Sequence, residues 1–150
     1  MATTLTASTL KVTVTENLTS NQQPLNYINE VSFANIIPFD PRIMLIPASG
    51  GVTVMLFSTT VAAGQFVRDN VKYLRITNKD DTNFIRVRVT KTSAETFDVK
   101  VNPGCTFMMS NLKESANSNG GAFSAFVDVD NISAQADTAS VYIEYFVASI

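Results

Sequence analysis

Acid–base chemistry in this sequence falls to its carboxylates, because the 150 residues include no histidine and a single cysteine, Cys105. That composition removes mechanisms built on an imidazole base and metal sites built from several thiolates. Glycoside hydrolysis needs only two carboxyl groups on opposite sides of a bond. Asp128 and Asp130 share one face of a predicted strand, and Glu144 lies on the last one. The chain has no tryptophan, the usual platform for stacking a sugar ring. Cys105 follows Pro103-Gly104 and opens the apolar run Thr106-Phe107-Met108-Met109. With no base to activate it, its expected role is a buried or half-buried structural thiol. Asn78, Asp80, Asp81 and Asn83 carry oxygen ligands of the kind calcium prefers, but their spacing does not match an EF-hand loop and all four are turn-forming residues. Gly50-Gly51 and Gly120-Gly121 lack the Gly-Lys-Ser/Thr continuation and the helix of a phosphate loop. These residues predict a protein that is not an enzyme and that holds no cofactor or metal.

Charge and hydropathy narrow the class further. Hydrophobic residues make up 45% of the chain and charged ones 16%, enough apolar material for a core. Eleven basic residues against 13 acidic ones give a net charge of −2, without the basic excess that nucleic acid requires of its partners. The first residues, Met1-Ala2-Thr3-Thr4-Leu5-Thr6, show neither the basic nor the apolar region of a secretory signal. No apolar run approaches the roughly 20 residues of a membrane helix. The expectation is a soluble protein with no nucleic-acid or membrane partner, made in a reducing compartment that suits its lone cysteine. The sequons at Asn17 and Asn131 carry no weight without a secretory route.

Elements that would position any site are strands, since apolar residues recur at a spacing of two almost throughout. Leu10, Val12 and Val14 alternate with Lys11, Thr13 and Thr15, and Tyr27, Asn29, Val31 and Phe33 alternate with Ile28, Glu30 and Ser32; both predict half-buried strands. Residues 17–24 between them, rich in Asn, Ser, Gln and Pro, predict a loop. Pro38 and Pro41 predict a corner or an edge strand. The apolar runs 43–46 and 52–57, either side of Pro47-Ala48-Ser49-Gly50-Gly51, predict a hairpin buried on both faces.

Residues 71–101 predict a three-stranded meander with one apolar face, formed by Leu74 and Ile76, then Ile85, Val87 and Val89, then Phe97, Val99 and Val101. Pairing Ile76 with Ile85 would set Arg75 against Arg86 and Tyr73 against Arg88. Pairing Val87 with Val99 would set Arg88 near Asp98. Tyr73, Arg75, Arg86, Arg88, Asp98 and Lys100 thus form the candidate partner-contact surface of the chain. Two readings of this face stand side by side: ordinary cross-strand charge pairing on a solvated sheet, and an Arg- and Tyr-containing contact surface for a protein partner.

Residues 113–121, polar and Gly-rich, predict a surface loop that a partner could order. Residues 123–130 and 140–147 alternate again and predict strands, the latter with Val141, Ile143, Tyr145 and Val147 on one side. Nine or ten short strands without a fixed repeat predict an all-β, single-domain antiparallel β-sandwich, jelly-roll-like, over residues 1–150, with residues 1–9 a candidate N-terminal arm for strand addition to a neighbour.

The run Tyr73-Leu74-Arg75-Ile76-Thr77-Asn78-Lys79-Asp80-Asp81-Thr82-Asn83-Phe84-Ile85, then Thr96-Phe97-Asp98-Val99-Lys100-Val101-Asn102-Pro103-Gly104, resembles a phrase common in small structural proteins of tailed bacteriophages. The stretch Ile132-Ser133-Ala134-Gln135-Ala136-Asp137-Thr138-Ala139-Ser140-Val141-Tyr142-Ile143-Glu144-Tyr145 is similar to theirs as well. The resemblance covers the second half of the chain. It implies a β-sandwich virion protein, foremost a capsid decoration (cement) protein: a homotrimer on the capsid surface, assembled in the host cytoplasm, bracing major capsid protein subunits. Tail, neck or fibre-attachment subunits share the flavour. A carbohydrate-binding module on the virion, stacking sugars on Tyr and Phe, is the alternative of another class.

Overall fold

A computed structural model describes residues 5–91, 96–110 and 129–150, together with the backbone of two short strands at Lys113–Glu114 and Ser124–Ala125. The chain forms two compact units, Met1–Ile37 and Pro38–Ile150.

The first unit is one long hairpin of β1 (Ser8–Ser20) and β2 (Gln23–Ile36), paired antiparallel from Ser20 opposite Gln23 back to Leu10 opposite Phe33. Its turn is only Asn21 and Gln22, with φ of 49° and 64°, the left-handed conformation a two-residue hairpin loop demands. The loop expected over residues 17–24 is therefore absent, and both strands run through it. Asn17, Leu18 and Thr19 find regular partners in Asn26, Leu25 and Pro24. Gln22 stands where glycine usually marks such a turn, which conceals it in the sequence. Directly opposed residues share a face, so one side carries Leu10 beside Phe33, Val12 beside Val31 and Leu18 beside Leu25, a mainly apolar side that also holds Val14 opposite Asn29 and Glu16 opposite Tyr27. The other side carries Thr13, Thr15 and a Lys11–Glu30 ion pair at 2.8 Å. The half-burial expected of these strands holds at Leu10, Val12 and Phe33, while Val14, Leu18, Leu25, Tyr27 and Val31 are exposed. Of the expected arm, residues 5–7 carry no regular structure and Ser8 opens β1; residues 1–4 lie outside the described residues.

The second unit holds β3 (Phe39–Ile46), β4 (Val52–Ser58), β5 (Phe66–Val67), β6 (Val71–Asn78), β7 (Ile85–Lys91), β8 (Thr96–Val101), β9 (Thr106–Met109), β10 (Lys113–Glu114), β11 (Ser124–Ala125), β12 (Val129–Ala136) and β13 (Val141–Ser149), with one 3-10 turn at Arg68–Asn70. β10 and β11 pair with each other. The others form a four-stranded sheet in the order β3-β13-β6-β9 and a five-stranded sheet in the order β5-β4-β12-β7-β8. All pairings are antiparallel except the short β4–β5 contact. One core joins the two sheets: Leu74, Ile76 and Ile143 from the first meet Ile85, Val87 and Ile132 from the second, all fully buried. The all-β antiparallel sandwich read from the alternation is what the chain forms. Each such buried side chain contributes about 1.5–3 kcal/mol to folding. No helix among the described residues is long and apolar enough to cross a membrane.

Two expected pairings give way to crossings between sheets. β3 and β4 do not form a hairpin, because the link through Pro47 carries the chain from one sheet to the other. β3 is an edge strand, where Pro41 removes no ladder bond that matters, and its outward residues are exposed, not buried on both sides. β6 likewise does not pair with β7. Its neighbours are β13 and β9, whereas β7 lies between β12 and β8, so the expected meander is split after its first strand. Asn78, fully buried at the crossing, donates to the carbonyls of Asn83 (2.8 Å) and Val101 (3.2 Å) and so ties the end of β6 to the other sheet. Alternation reveals which side of a strand is buried, and β6 and β7 both bury their predicted sides; it does not say which strand lies alongside.

Candidate functional site

The split of the meander divides the six expected contact residues between opposite outer faces of the sandwich. Arg86, Arg88, Asp98 and Lys100 lie on the outer face of the five-stranded sheet, on β7 and β8. Tyr73 and Arg75 lie on the outer face of the four-stranded sheet, on β6. The expected approaches of Arg75 to Arg86 and of Tyr73 to Arg88 therefore do not occur.

On the five-stranded face the expected register is present: Val87 pairs with Val99, and Arg88 with Asp98. Arg88 holds Asp98 with both ends of its fork, Nε to Oδ1 at 2.7 Å and Nη2 to Oδ2 at 2.7 Å, and Arg86 Nε lies 3.7 Å from the same carboxylate. Hydrogen bonds from Arg88, then the charges of Arg88 and Arg86, hold the Asp98 carboxyl below its usual range. Lys100 places its ammonium 4.2 Å from the centre of the Phe84 ring. That contact occupies a face of Phe84 that a sugar would need for stacking. Ser133 and Gln135 of β12 continue the polar surface, which is an exposed ionic face with little energy in any one pair.

The four-stranded face is different in kind. Its registers set Leu45 beside Tyr142, Ile43 beside Glu144, Pro41 beside Phe146 and Phe39 beside Ala148. From the other flank of β13 come Tyr73, Arg75 and Thr77 of β6, and beyond them Met108 and Thr106 of β9. Ile43 is 68% exposed, Phe39 60% and Tyr142 59%, with Leu45 and Met108 also open to solvent. Phe146 lies between Phe39 and Tyr73, its ring centre 6.4 Å and 6.0 Å from theirs. Arg75 donates to Glu144 and, at 2.9 Å, to the Thr77 hydroxyl. This bond, then the Arg75 charge, keeps Glu144 ionised below the usual carboxylate range. Burial raises the Tyr73 hydroxyl's pKa, against the opposing effect of Arg75. An Arg–carboxylate pair inside an exposed apolar surface is an arrangement suited to docking a protein.

Sequence reading missed this surface because it assigned β3 to the interior. Pro38 and Pro41 already predicted a corner or an edge strand; the step not taken was to extend that edge through residues 43–46, which exposes Phe39, Ile43 and Leu45.

Of the residues considered for covalent chemistry, Glu144 and Asp130 are held in ion pairs. Glu144 needs a raised pKa to act as a general acid, and its shift is the reverse. Asp130 of β12 pairs with Arg68 of the 3-10 turn, and Asp128 lies outside the described residues. In the 79–84 connection Asp80 Oδ1 accepts the backbone N–H of Thr82 at 2.8 Å, and Asn78 Oδ1 accepts that of Asp80 at 2.9 Å. Backbone hydrogen bonds from Asn83 and Thr82 lower the Asp80 pKa. These oxygens build the turn, as the turn reading of the cluster expects. Cys105 is exposed, correcting the expected burial: its N–H and carbonyl close the turn to Asn102 and Asn78, both at 3.0 Å, which leaves the side chain outside. Clefts also escaped the sequence reading: an open one of about 410 Å³ lies at Phe84, Arg86, Gln135 and Asp137, and a smaller one lies elsewhere. In the smaller one Asp40, Arg42 and Tyr145 meet Gly64 and Phe66 where the sheets part, with the Tyr145 hydroxyl 3.3 Å from Asp40. Its volume, about 280 Å³, falls below the span of ordinary ligand pockets.

These features define an antiparallel all-β sandwich whose most distinctive surface is a broad sheet face. No protein family matches the chain, and no curated protein or solved structure matches it.

Proposed function

We propose that the chain is a structural subunit of a larger protein assembly, docking on other subunits through the outer face of its four-stranded sheet. On the resemblance in its second half, the assembly is a phage virion and the role is capsid decoration, with the major capsid protein as partner. The observation that supports docking is the exposed row of Phe39, Ile43, Leu45 and Tyr142 around the Arg75–Glu144 pair. A monomeric soluble protein rarely leaves such a contiguous apolar surface open. The mechanism is mass action: a subunit that binds only the assembled shell stabilises it by its binding free energy, and contacts repeated over a lattice add up. The test is the copy number of this chain in purified particles, measured by quantitative mass spectrometry against the major capsid protein. A simple fraction of the shell protein is the expected result. A few copies per particle would shift the role to the tail or neck, and none would overturn the virion reading.

A further inference from the structure

The long hairpin has a property separate from the sandwich and from the virion reading. A two-stranded ribbon is marginal in water by itself, and sheets of three or more strands with an apolar face are not. β1 and β2 form such a ribbon, so the outer edge of each lacks a strand partner among the described residues. Natural edge strands are guarded by proline, inward-pointing charge or bulges. β1 has no proline, its only irregularity lies at its start, between Ser8 and Leu10, and its one charge on the apolar side is Glu16, opposite Tyr27.

The sequence of β1 is also nearly the same read from either end. About Val14 as centre, Thr13 mirrors Thr15, Leu10 mirrors Leu18, Thr9 mirrors Thr19 and Ser8 mirrors Ser20. Only Lys11 against Asn17 and Val12 against Glu16 differ. A two-fold antiparallel pairing of this strand with its own copy is isologous, and every residue then faces its mirror position. Val14 would meet Val14 and Leu10 would meet Leu18 on the apolar side, with Thr13 against Thr15 on the polar side. Opposed residues share a face, so the apolar sides of the two hairpins become continuous, and Thr–Thr and aliphatic cross-strand pairs are favourable.

We propose that β1 is a self-pairing edge: two copies of this chain join through their β1 strands, in register about Val14, to make one four-stranded sheet in the order β2-β1-β1-β2. The contact is two-fold, so in a trimer of the kind the resemblance implies it would connect one trimer to the next.

The test uses the full chain carrying Cys105→Ser, which removes the exposed native thiol, and places one cysteine at a time along β1. Val14→Cys should give a disulfide-linked dimer under mild oxidation, because position 14 alone faces itself on the apolar side. Val12→Cys and Glu16→Cys should each crosslink poorly alone and well when mixed. In sedimentation, the unmodified chain should associate at high micromolar concentration and Val14→Lys, which opposes two ammonium groups across the axis, should dissociate at least tenfold more readily. A chain that stays monomeric, crosslinking that is equal at 12, 14 and 16, or association unaltered by Val14→Lys would overturn the proposal.

Discussion

The two outer faces of the sandwich are built from the same strand geometry and carry opposite surfaces. On the five-stranded face, charged and polar residues alternate with the core: Arg86 and Arg88 share the one carboxylate of Asp98, and Lys100 covers Phe84. On the four-stranded face, Phe39, Ile43, Leu45 and Tyr142 stand open, and the charges present, Arg75 and Glu144, answer each other at the centre. Water already solvates the first face well, so covering it yields little. Covering the second removes apolar area from water at about 25 cal/mol per Å². The difference teaches that the abundance of Arg on predicted outer positions said little about which outer face is apolar, and that a proline-marked edge strand said more.

Substitutions can break or sharpen this contrast. The largest expected effect lies where both faces depend on one residue: Asn78→Ala leaves the carbonyls of Asn83 and Val101 and the N–H of Asp80 without their buried partner, and should lower unfolding free energy by about 2 kcal/mol in a denaturant titration. Next comes binding to particles. Ile43→Glu should weaken it more than about tenfold, some 1.4 kcal/mol, whereas Arg86→Glu on the opposite face should change it by less than about threefold. The reverse ranking would assign docking to the ionic face. A smaller effect is expected from Arg88→Met: a slight drop in melting temperature at low salt that disappears near ~1 M salt, where the screening length is ~3 Å.

Acid should act on both faces alike. Asp98, Glu144 and Asp80 all have folded pKa values below their unfolded ones, so their contribution to stability is complete above the unfolded values and is lost as pH falls through the lower, folded ones. With no histidine in the chain, thermal stability should be nearly flat between about pH 5 and 8 and fall below about pH 4. A midpoint that moves by several degrees between pH 5 and 8 would show that some other group governs it.

Much of the second unit was legible. The alternation in residues 140–147 put Val141, Ile143, Tyr145 and Val147 inside, and all four are buried in β13. The Val87–Val99 register and the Arg88–Asp98 pair were readable because β7 and β8 are adjacent in sequence as well as in space, and pairing follows from the short connection. β6 has the same clarity of pattern as β7, yet its partners β13 and β9 come from elsewhere in the chain, and nothing local to Tyr73 or Arg75 names them. The grouping of the six residues therefore held for Arg86, Arg88, Asp98 and Lys100 on β7 and β8, and failed for Tyr73 and Arg75, which lie on a strand of the other sheet.

What the amino-acid sequence determined by itself was the strand character of the chain and the buried side of β6, β7 and β13, because successive side chains of a strand must point to opposite faces whatever lies beside it. Which strands became neighbours, which sheet each joined and which outer face stayed apolar were decided only by the tertiary structure. Those choices depend on burying inward residues from distant parts of the chain together in one core, a condition that no single stretch of sequence can express.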